Sequence, residues 1–321
     1  MTDETVSLDV LESRVRRRED RREFFRAFAG VAAAGGAATA LSSSAFAQTT
    51  APTDFDILNF ALNLEYLEAQ FYSFAVFNQG LPSDLLSGTG TRGEATGGRA
   101  VNFTDPIVRQ YAVEIAQDEL AHVRFLRTAL GSMAVAQPAI DISAGPNGPF
   151  SNAARAAGLI GAGQTFDPYA TDEAFLLGAF IFEDVGVTAY KGASPLIANL
   201  DRLEAAAGLL AVEAYHAALV RTTLFRKGIE MPALGLIEST ESISNARDNL
   251  DGPTNLDMGI RPMPTRFGEG SNIFPSDADG LAFSRSPGQV LNIVYLNRMA
   301  VTAGGFFPNG VNGTLRTSAA N

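Results

Sequence analysis

Four segments of this sequence show the spacing of apolar residues expected of long amphipathic helices. Each segment begins at a hydroxyl side chain followed by an acid or a proline, and each ends at a glycine; such residues typically cap helices. The segments are residues 53–80, 104–131, 171–192 and 194–228. We therefore predict an all-α fold built around a four-helix bundle.

The lengths of the connections between these segments indicate the topology of the bundle. Only a few residues separate the third segment from the fourth, so these two helices should be antiparallel neighbours. Residues 132–170 separate the second from the third and are long enough to run the length of a bundle. One long crossover of this kind is a feature of ferritin-like bundles.

Three domains follow from these boundaries and from the composition. Residues 48–228 should form the bundle. Residues 229–321 are rich in Gly, Pro, Asn and Ser, and we expect an irregular extension packed on the bundle, with one short helix at 286–296. Residues 1–47 should lie outside the folded protein.

The N-terminal segment has the layout of an export signal. "DRREFFR" resembles the twin-arginine motif and precedes a mildly apolar run from Ala27 to Leu41. This run is too short to span a membrane, and Ala45-Phe46-Ala47 follows it as a cleavage signal. We expect the twin-arginine machinery to export the chain and the mature protein to begin at Gln48, in the periplasm or outside the cell, without stable insertion in a membrane.

Composition removes several classes of function. The net charge of −11 leaves no basic surface to neutralise phosphates, which argues against a nucleic-acid partner. The chain has no cysteine, which excludes thiolate metal sites and iron–sulfur clusters. Oxygen and imidazole are then the metal ligands that this chain can offer. The sequence is compatible with a monomer or with a homo-oligomer.

Both histidines of the chain occur in the motif Glu-x-x-His on predicted helices. Residues three apart share one face of a helix, so Glu119 with His122, and Glu213 with His216, can each present an oxygen and a nitrogen to one ion. Both pairs lie in otherwise apolar stripes that face the core. Buried carboxylates are costly unless a cation compensates them.

The other two helices contribute one glutamate each. Glu65 and Glu183 lie on core-facing stripes, and each is followed seven residues later by a tyrosine, Tyr72 or Tyr190. The chain thus contains the order Glu-x6-Tyr, then Glu-x-x-His, twice. Four carboxylates and two imidazoles from four helices form the ligand set of a dinuclear site in a bundle. This donor set suits two divalent ions, iron or manganese, with zinc also compatible.

Nearby polar residues have more than one interpretation. Tyr72 and Tyr190 could hydrogen-bond ligands on neighbouring helices, or could be ordinary core tyrosines. Glu68 lies one turn from Glu65 and is a weaker substitute for it. Asp118 directly precedes Glu119, and we expect it to be solvated or to cap a neighbour.

The stretches "ILNFALNLEYLEAQFY" and "GGFFPNGVNG" resemble the ferritin-like superfamily, in the branch that includes plant desiccation-related proteins and exported bacterial homologues. The resemblance covers most of the mature chain, and all six expected ligands are present: Glu65, Glu119, His122, Glu183, Glu213 and His216. By analogy, Glu119 and Glu213 would bridge the two ions, whereas Glu65 and Glu183 would be terminal.

Two classes of function remain open. In the first, the site is a redox centre that reacts with oxygen or peroxide, as a ferroxidase or a catalase-like enzyme. In the second, the protein is non-catalytic, either sequestering metal or protecting against desiccation and stress, and its metal is structural.

Overall fold

Helices form most of the regular structure in residues 51–321, the part of the chain that the computed structural model describes. The predicted export signal lies outside the described residues. The helices are α1 Asp54–Phe77, α2 Pro106–Leu130, α3 Pro149–Ala156, α4 Asp172–Ala193, α5 Leu200–Glu230, α6 Leu236–Asp251 and α7 Pro287–Val294. The all-α prediction is confirmed.

Two small pairs of strands accompany these helices. β1 (Ala95–Thr96) pairs in parallel with β2 (Ile140–Asp141). This pairing ties the excursion between α1 and α2 to the beginning of the long crossover. β3 (Met263–Thr265) and β4 (Gly268–Gly270) form an antiparallel hairpin in the C-terminal extension.

Four helices form the bundle, α1, α2, α4 and α5, and they pack chiefly as two pairs. α1 lies along α2, and α4 lies along α5. The core between the pairs is rich in aromatic side chains. Phe71 of α1 stacks on Phe175 of α4 with ring centroids 5.5 Å apart, and its ring also meets Phe150 of the crossover helix α3.

Side-chain caps begin these helices because their first N–H groups have no partner inside the helix. Thr53 and Asp56 form a capping box at α1, and Thr171 caps α4, as the sequence predicts. The predicted start of α5 at 194 is wrong. Ser194–Leu196 forms a separate 3₁₀ turn, and Asn199 caps α5 by accepting a hydrogen bond from the Arg202 N–H.

Two of the predicted glycine stops lie inside helices. A Cβ atom on Gly192 would be 2.0 Å from the Arg285 carbonyl oxygen, so glycine there permits a close approach of the C-terminal extension to α4. On Gly228 a Cβ atom would be 3.0 Å from Ile237 of α6. Both glycines serve packing between elements, and α4 and α5 continue past them to Ala193 and Glu230.

The C-terminal extension is more helical than predicted. α7 lies within the predicted helix at 286–296, but the 16-residue helix α6 was not predicted. The buried face of α6 is largely polar and includes Thr240, Ser244, Arg247 and Asp251. An apolar periodicity could not reveal this helix because ion pairs and hydrogen bonds cover much of its inner face.

Buried ion pairs fasten this extension to the bundle. Arg221 of α5 and Arg247 of α6 both contact Asp184 of α4, at N–O distances of 2.8 and 3.0 Å. Arg285, fully buried, contacts Asp251 and Asp257 at 2.5 and 2.6 Å. Phe306, from the "GGFFPNGVNG" stretch, adds an aromatic contact to Phe182, with ring centroids 4.9 Å apart.

α5 has the length and apolar composition that could cross a membrane. Among the described residues, it is the one helix with both properties. In the structure, Glu213, His216 and Arg221 are buried on the inner face of α5, against other elements of the bundle and its extension. A bundle helix with these buried ionisable groups accounts for α5 without a membrane.

Candidate metal centre

The six predicted ligands meet in the interior of the bundle. Glu65 comes from α1, Glu119 and His122 from α2, Glu183 from α4, and Glu213 and His216 from α5. All six are buried, and the most exposed of them, His122, shows only 6% of its surface. The three-residue spacing in α2 and α5 places each glutamate and its histidine on the same inward face.

Four of these residues form one group, in which three glutamates face the His122 imidazole. Its Nδ1 atom lies 3.2 Å from Glu65 Oε2, 3.6 Å from Glu213 Oε1 and 3.8 Å from Glu119 Oε2. One ligand atom from each of these four residues lies within 4.8 Å of the others. The site therefore offers three oxygens and one nitrogen to an ion, a donor set that suits iron, manganese or zinc.

A second group forms around the His216 imidazole. Its Nδ1 atom lies 3.1 Å from Glu119 Oε1 and 3.7 Å from Glu183 Oε2. Glu119 therefore belongs to both groups, with one oxygen directed at each histidine. The rings of His122 and His216 lie 6.0 Å apart. A carboxylate between two imidazoles is the position that the sequence resemblance assigns to a bridging ligand.

Several polar atoms in this interior lack a hydrogen-bond partner. They are both carboxylate oxygens of Glu119 and of Glu213, Oε2 of Glu183, Oε2 of Glu68 and Nδ1 of His216. Buried polar atoms without partners are rare in folded proteins because each costs roughly 1–3 kcal/mol. Metal coordination would satisfy these atoms, so the residues present fit the metal pair that the fold implies.

The two tyrosines contact the glutamates Glu183 and Glu65 across the bundle. The Tyr72 hydroxyl donates a hydrogen bond to Glu183 Oε1, and the Tyr190 hydroxyl donates one to Glu65 Oε1. Each tyrosine thus contacts the glutamate of the other half of the internal repeat. Such hydrogen bonds fix the orientation of a metal ligand and leave its second oxygen for the ion.

Two acidic residues have contacts that the sequence did not indicate. Asp118 is half exposed, but its Oδ2 atom lies 3.2 Å from His216 Nε2. The Nδ1 atom of His216 then faces the metal position while Nε2 donates its hydrogen to Asp118. Glu68 does not replace Glu65; it joins Glu183 and Glu213 in a third buried group. The Glu-x-x-His spacing could not reveal the contact between Asp118 and His216, because Asp118 lies on α2 and His216 on α5.

Burial and crowding control the protonation of the cluster without metal. Burial raises the pKa of Glu65 to about 7 and that of Glu183 to about 8. Burial also acts on Glu119, but the facing imidazoles of His122 and His216 outweigh it and lower the Glu119 pKa to about 2.

Burial acts on the pKa of the histidines in the opposite direction. Burial alone would lower the pKa of each imidazole. The facing carboxylates, Glu65 and Glu119 for His122, prevail and raise the pKa of His122 to about 11. Glu119 and Glu183 have the same effect on His216, whose pKa rises to about 9. In the metal-free protein both imidazoles are therefore in the protonated, imidazolium form, and an ion would have to displace a proton from each.

Comparison with known proteins places this site in a family. A protein-family model described as "Ferritin-like domain" matches residues 53–226, which include all four bundle helices apart from the last turn of α5. This chain belongs to the ferritin-like domain family. The matched range contains every predicted ligand of the ferritin-like protein.

Two curated relatives resemble this ferritin-like protein along most of its length. Desiccation-related protein PCC13-62 from Craterostigma plantagineum is 30% identical over 267 residues, which cover 81% of this chain and 83% of the relative. Ferritin-like catalase Nec2 from Nesocodon mauritianus is 28% identical over 271 residues, or 82% of this chain and 84% of the relative. Both alignments are longer than the bundle alone, so they include sequence outside it.

Proposed function

We propose that this ferritin-like protein binds two divalent ions, iron or manganese, and decomposes peroxide at them. One observation carries the proposal: four buried carboxylates and two imidazoles converge with most of their inward-facing atoms lacking other partners. The similarity to a relative named as a ferritin-like catalase supports peroxide as the substrate.

Peroxide disproportionation also suits the chemistry of the chain. One hydrogen peroxide loses two electrons and two protons and leaves as oxygen, while a second hydrogen peroxide gains them and leaves as two waters. The reaction needs no external electron donor, and the absence of cysteine means that the chain carries no thiol or iron–sulfur relay. When bound, the ion pair would supply the redox step.

The residues of the chain would hold this pair and position its ligands. Glu65, Glu213 and His122 would serve one ion, and Glu183 and His216 the other, with Glu119 between them. Tyr72 and Tyr190 would keep the terminal carboxylates oriented through their hydroxyl hydrogens. Asp118 would hold the hydrogen of His216 Nε2, which keeps Nδ1 free to coordinate.

Oxygen release from hydrogen peroxide tests this proposal. The full chain is loaded with Mn²⁺ or Fe²⁺ and measured in an oxygen electrode. We expect oxygen release by the wild-type protein and none above background by Glu119→Gln/Glu213→Gln. Glu114→Gln/Glu204→Gln, on exposed positions of the same two helices, is the matched control and should keep full activity. An inert metal-loaded wild-type protein would refute the proposal.

A ferroxidase would give a different result in the same apparatus. It would consume oxygen on addition of Fe²⁺ and would release none from peroxide. That outcome would keep the dinuclear centre but replace peroxide decomposition with iron oxidation. The Glu119→Gln/Glu213→Gln variant should abolish either activity.

A non-catalytic protective role is the second candidate because a desiccation-related protein is 30% identical to this chain. In that case the metal would be structural. Metal-loaded protein would then be inert to peroxide and to Fe²⁺ with oxygen, yet would preserve the activity of a test enzyme through drying and rehydration. The Glu119→Gln/Glu213→Gln variant would protect less well only through its lower stability.

We also propose that residues 1–47 direct export by the twin-arginine route. The paired arginines Arg21 and Arg22 and the Ala45-Phe46-Ala47 signal support this proposal. N-terminal sequencing of the secreted or periplasmic protein should find Gln48 first. Arg21→Lys/Arg22→Lys should leave the precursor uncleaved in the cytoplasm, and continued export of that variant would exclude the twin-arginine route.

A further inference from the structure

Glu68 is a fifth buried glutamate that the two-ion site does not need. It lies on α1, one turn after Glu65, and only 7% of its surface is exposed. Its Oε2 atom has no hydrogen-bond partner. Ligand oxygens of Glu68, Glu183 and Glu213 all lie within 4.8 Å of one another. The carboxylate is therefore directed into the same interior as the predicted ligands.

The internal repeat of the chain breaks at this position. Glu65, Glu68 and Tyr72 on α1 correspond by spacing to Glu183, Gly186 and Tyr190 on α4. A Cβ atom on Gly186 would lie 2.1 Å from Glu213 Oε2 and 3.6 Å from Glu68 Oε1. The missing side chain on α4 thus makes the space in which the carboxylates of Glu213 and Glu68 approach each other.

The three groups of ligand atoms are joined through shared carboxylates. Glu119 is common to the two groups that contain histidine. The Glu68 group shares Glu213 with the His122 group and shares Glu183 with the His216 group. The ligand atoms of Glu119, Glu183 and His216 lie within 4.8 Å of one another, and Glu68 is not part of that group. The Glu68 group is therefore a separate position beside the other two.

Charge also distinguishes this position. Two divalent ions balance four carboxylates, which leaves the fifth without a cation, and an unpaired buried charge is strongly destabilising. Within residues 51–321, no arginine or lysine side chain forms an ion pair with any of these five glutamates. A cation bound between these glutamates would supply the positive charge.

We propose that Glu68, Glu183 and Glu213 hold a third cation beside the dinuclear centre. All the protein ligands are carboxylate oxygens, and such a site selects hard divalent ions such as Mn²⁺, Mg²⁺ or Ca²⁺. This inference rests on the two-ion centre proposed above, because Glu183 and Glu213 serve both. The centre is then trinuclear, with two positions that contain histidine and one that does not.

Counting bound ions tests this third position. Full-length protein is dialysed to equilibrium against Mn²⁺, and the metal content per chain is measured by mass spectrometry. Three groups predict three Mn²⁺ per wild-type chain, and two per chain for Glu68→Gln, which keeps the shape of the side chain. Glu114→Gln, an exposed change on α2, should still bind three. Circular dichroism and thermal unfolding confirm that each variant is folded.

The possible counts separate this inference from the proposed function. Two ions in the wild type would overturn the third position and leave the dinuclear centre standing, whether or not Glu68→Gln binds fewer. Three ions in both proteins would show that Glu68 is not a ligand and would also overturn the assignment. A wild-type protein that binds no ion would refute the dinuclear centre as well.

Discussion

Tyr72 on α1 donates a hydrogen bond to Oε1 of Glu183 on α4. Its counterpart Tyr190 donates to Glu65, so two hydrogen bonds cross the bundle in opposite directions. Each bond joins the two helix pairs at the level of the ligands. The tyrosines thereby orient the carboxylates of Glu183 and Glu65 and also connect the two helix pairs of the bundle.

We expect Tyr72→Phe to weaken metal binding because Glu183 would lose the donor that orients it. Loss of an outer hydrogen bond to a ligand typically lowers metal affinity roughly 10–100-fold. Tyr66→Phe is the matched control, since Tyr66 is equally buried but donates to the Leu85 carbonyl rather than to a ligand. Calorimetric titration with Mn²⁺ compares them. Equal affinities for the two variants would contradict the orienting role of Tyr72.

Asp118→Asn should also weaken metal binding, with little effect on folding. The Asp118 carboxylate accepts the hydrogen of His216 Nε2 and makes the opposite nitrogen a better ligand. An amide is a poorer acceptor, so we expect about a tenfold loss of affinity or more. Because the Asp118 side chain is 44% exposed, the unfolding temperature should change little. An unchanged affinity would mean that the contact is incidental.

Much of the bundle was predictable because its determinants are local. Thr53 and Thr171 cap their helices where the sequence indicates, and apolar periodicity marks the faces that pack. α6 was not predictable in this way. Its inner face depends on Arg247 and Asp251, whose partners are distant in sequence.

In the candidate site, too, the local features were predictable and the contacts between distant residues were not. The Glu-x-x-His pairs are local spacings on one helix, so they could be read from the sequence and the structure brings them together. The crosswise bonds of the tyrosines and the contact of Asp118 with His216 join different helices. Those relationships depend on how the helices are rotated and staggered, which no spacing along one helix specifies.

Removal of metal should lower the stability of the protein. The proposed cations would compensate the charge of five buried glutamates, and an ion bound only by the folded state stabilises it by mass action. At free metal about 1,000 times the dissociation constant, this linkage amounts to roughly 4 kcal/mol per ion. Scanning calorimetry with and without a chelator measures the effect. An unfolding temperature independent of metal would exclude tight binding in the folded state.

Metal affinity should rise with pH. In the metal-free protein the pKa of His216 is raised to about 9 and that of His122 to about 11, so both imidazoles carry a proton at neutral pH. An ion must displace these protons, and a lower proton concentration favours that exchange. Titrations between pH 6 and 8 should therefore show tighter binding at the higher pH and proton release into the buffer. Binding without proton release would contradict this assignment.

Arg285→Ala should destabilise the protein far more than a change at an exposed arginine. Arg285 is fully buried and contacts Asp251 and Asp257, so its removal leaves two buried carboxylates without their partner. Breaking a buried pair in this way typically costs about 3–5 kcal/mol. Urea unfolding of the metal-free protein should show that loss, whereas Arg266→Ala, at an exposed position, should stay within about 0.5 kcal/mol of the wild type. A similar small change for both would mean that the extension is held without this network.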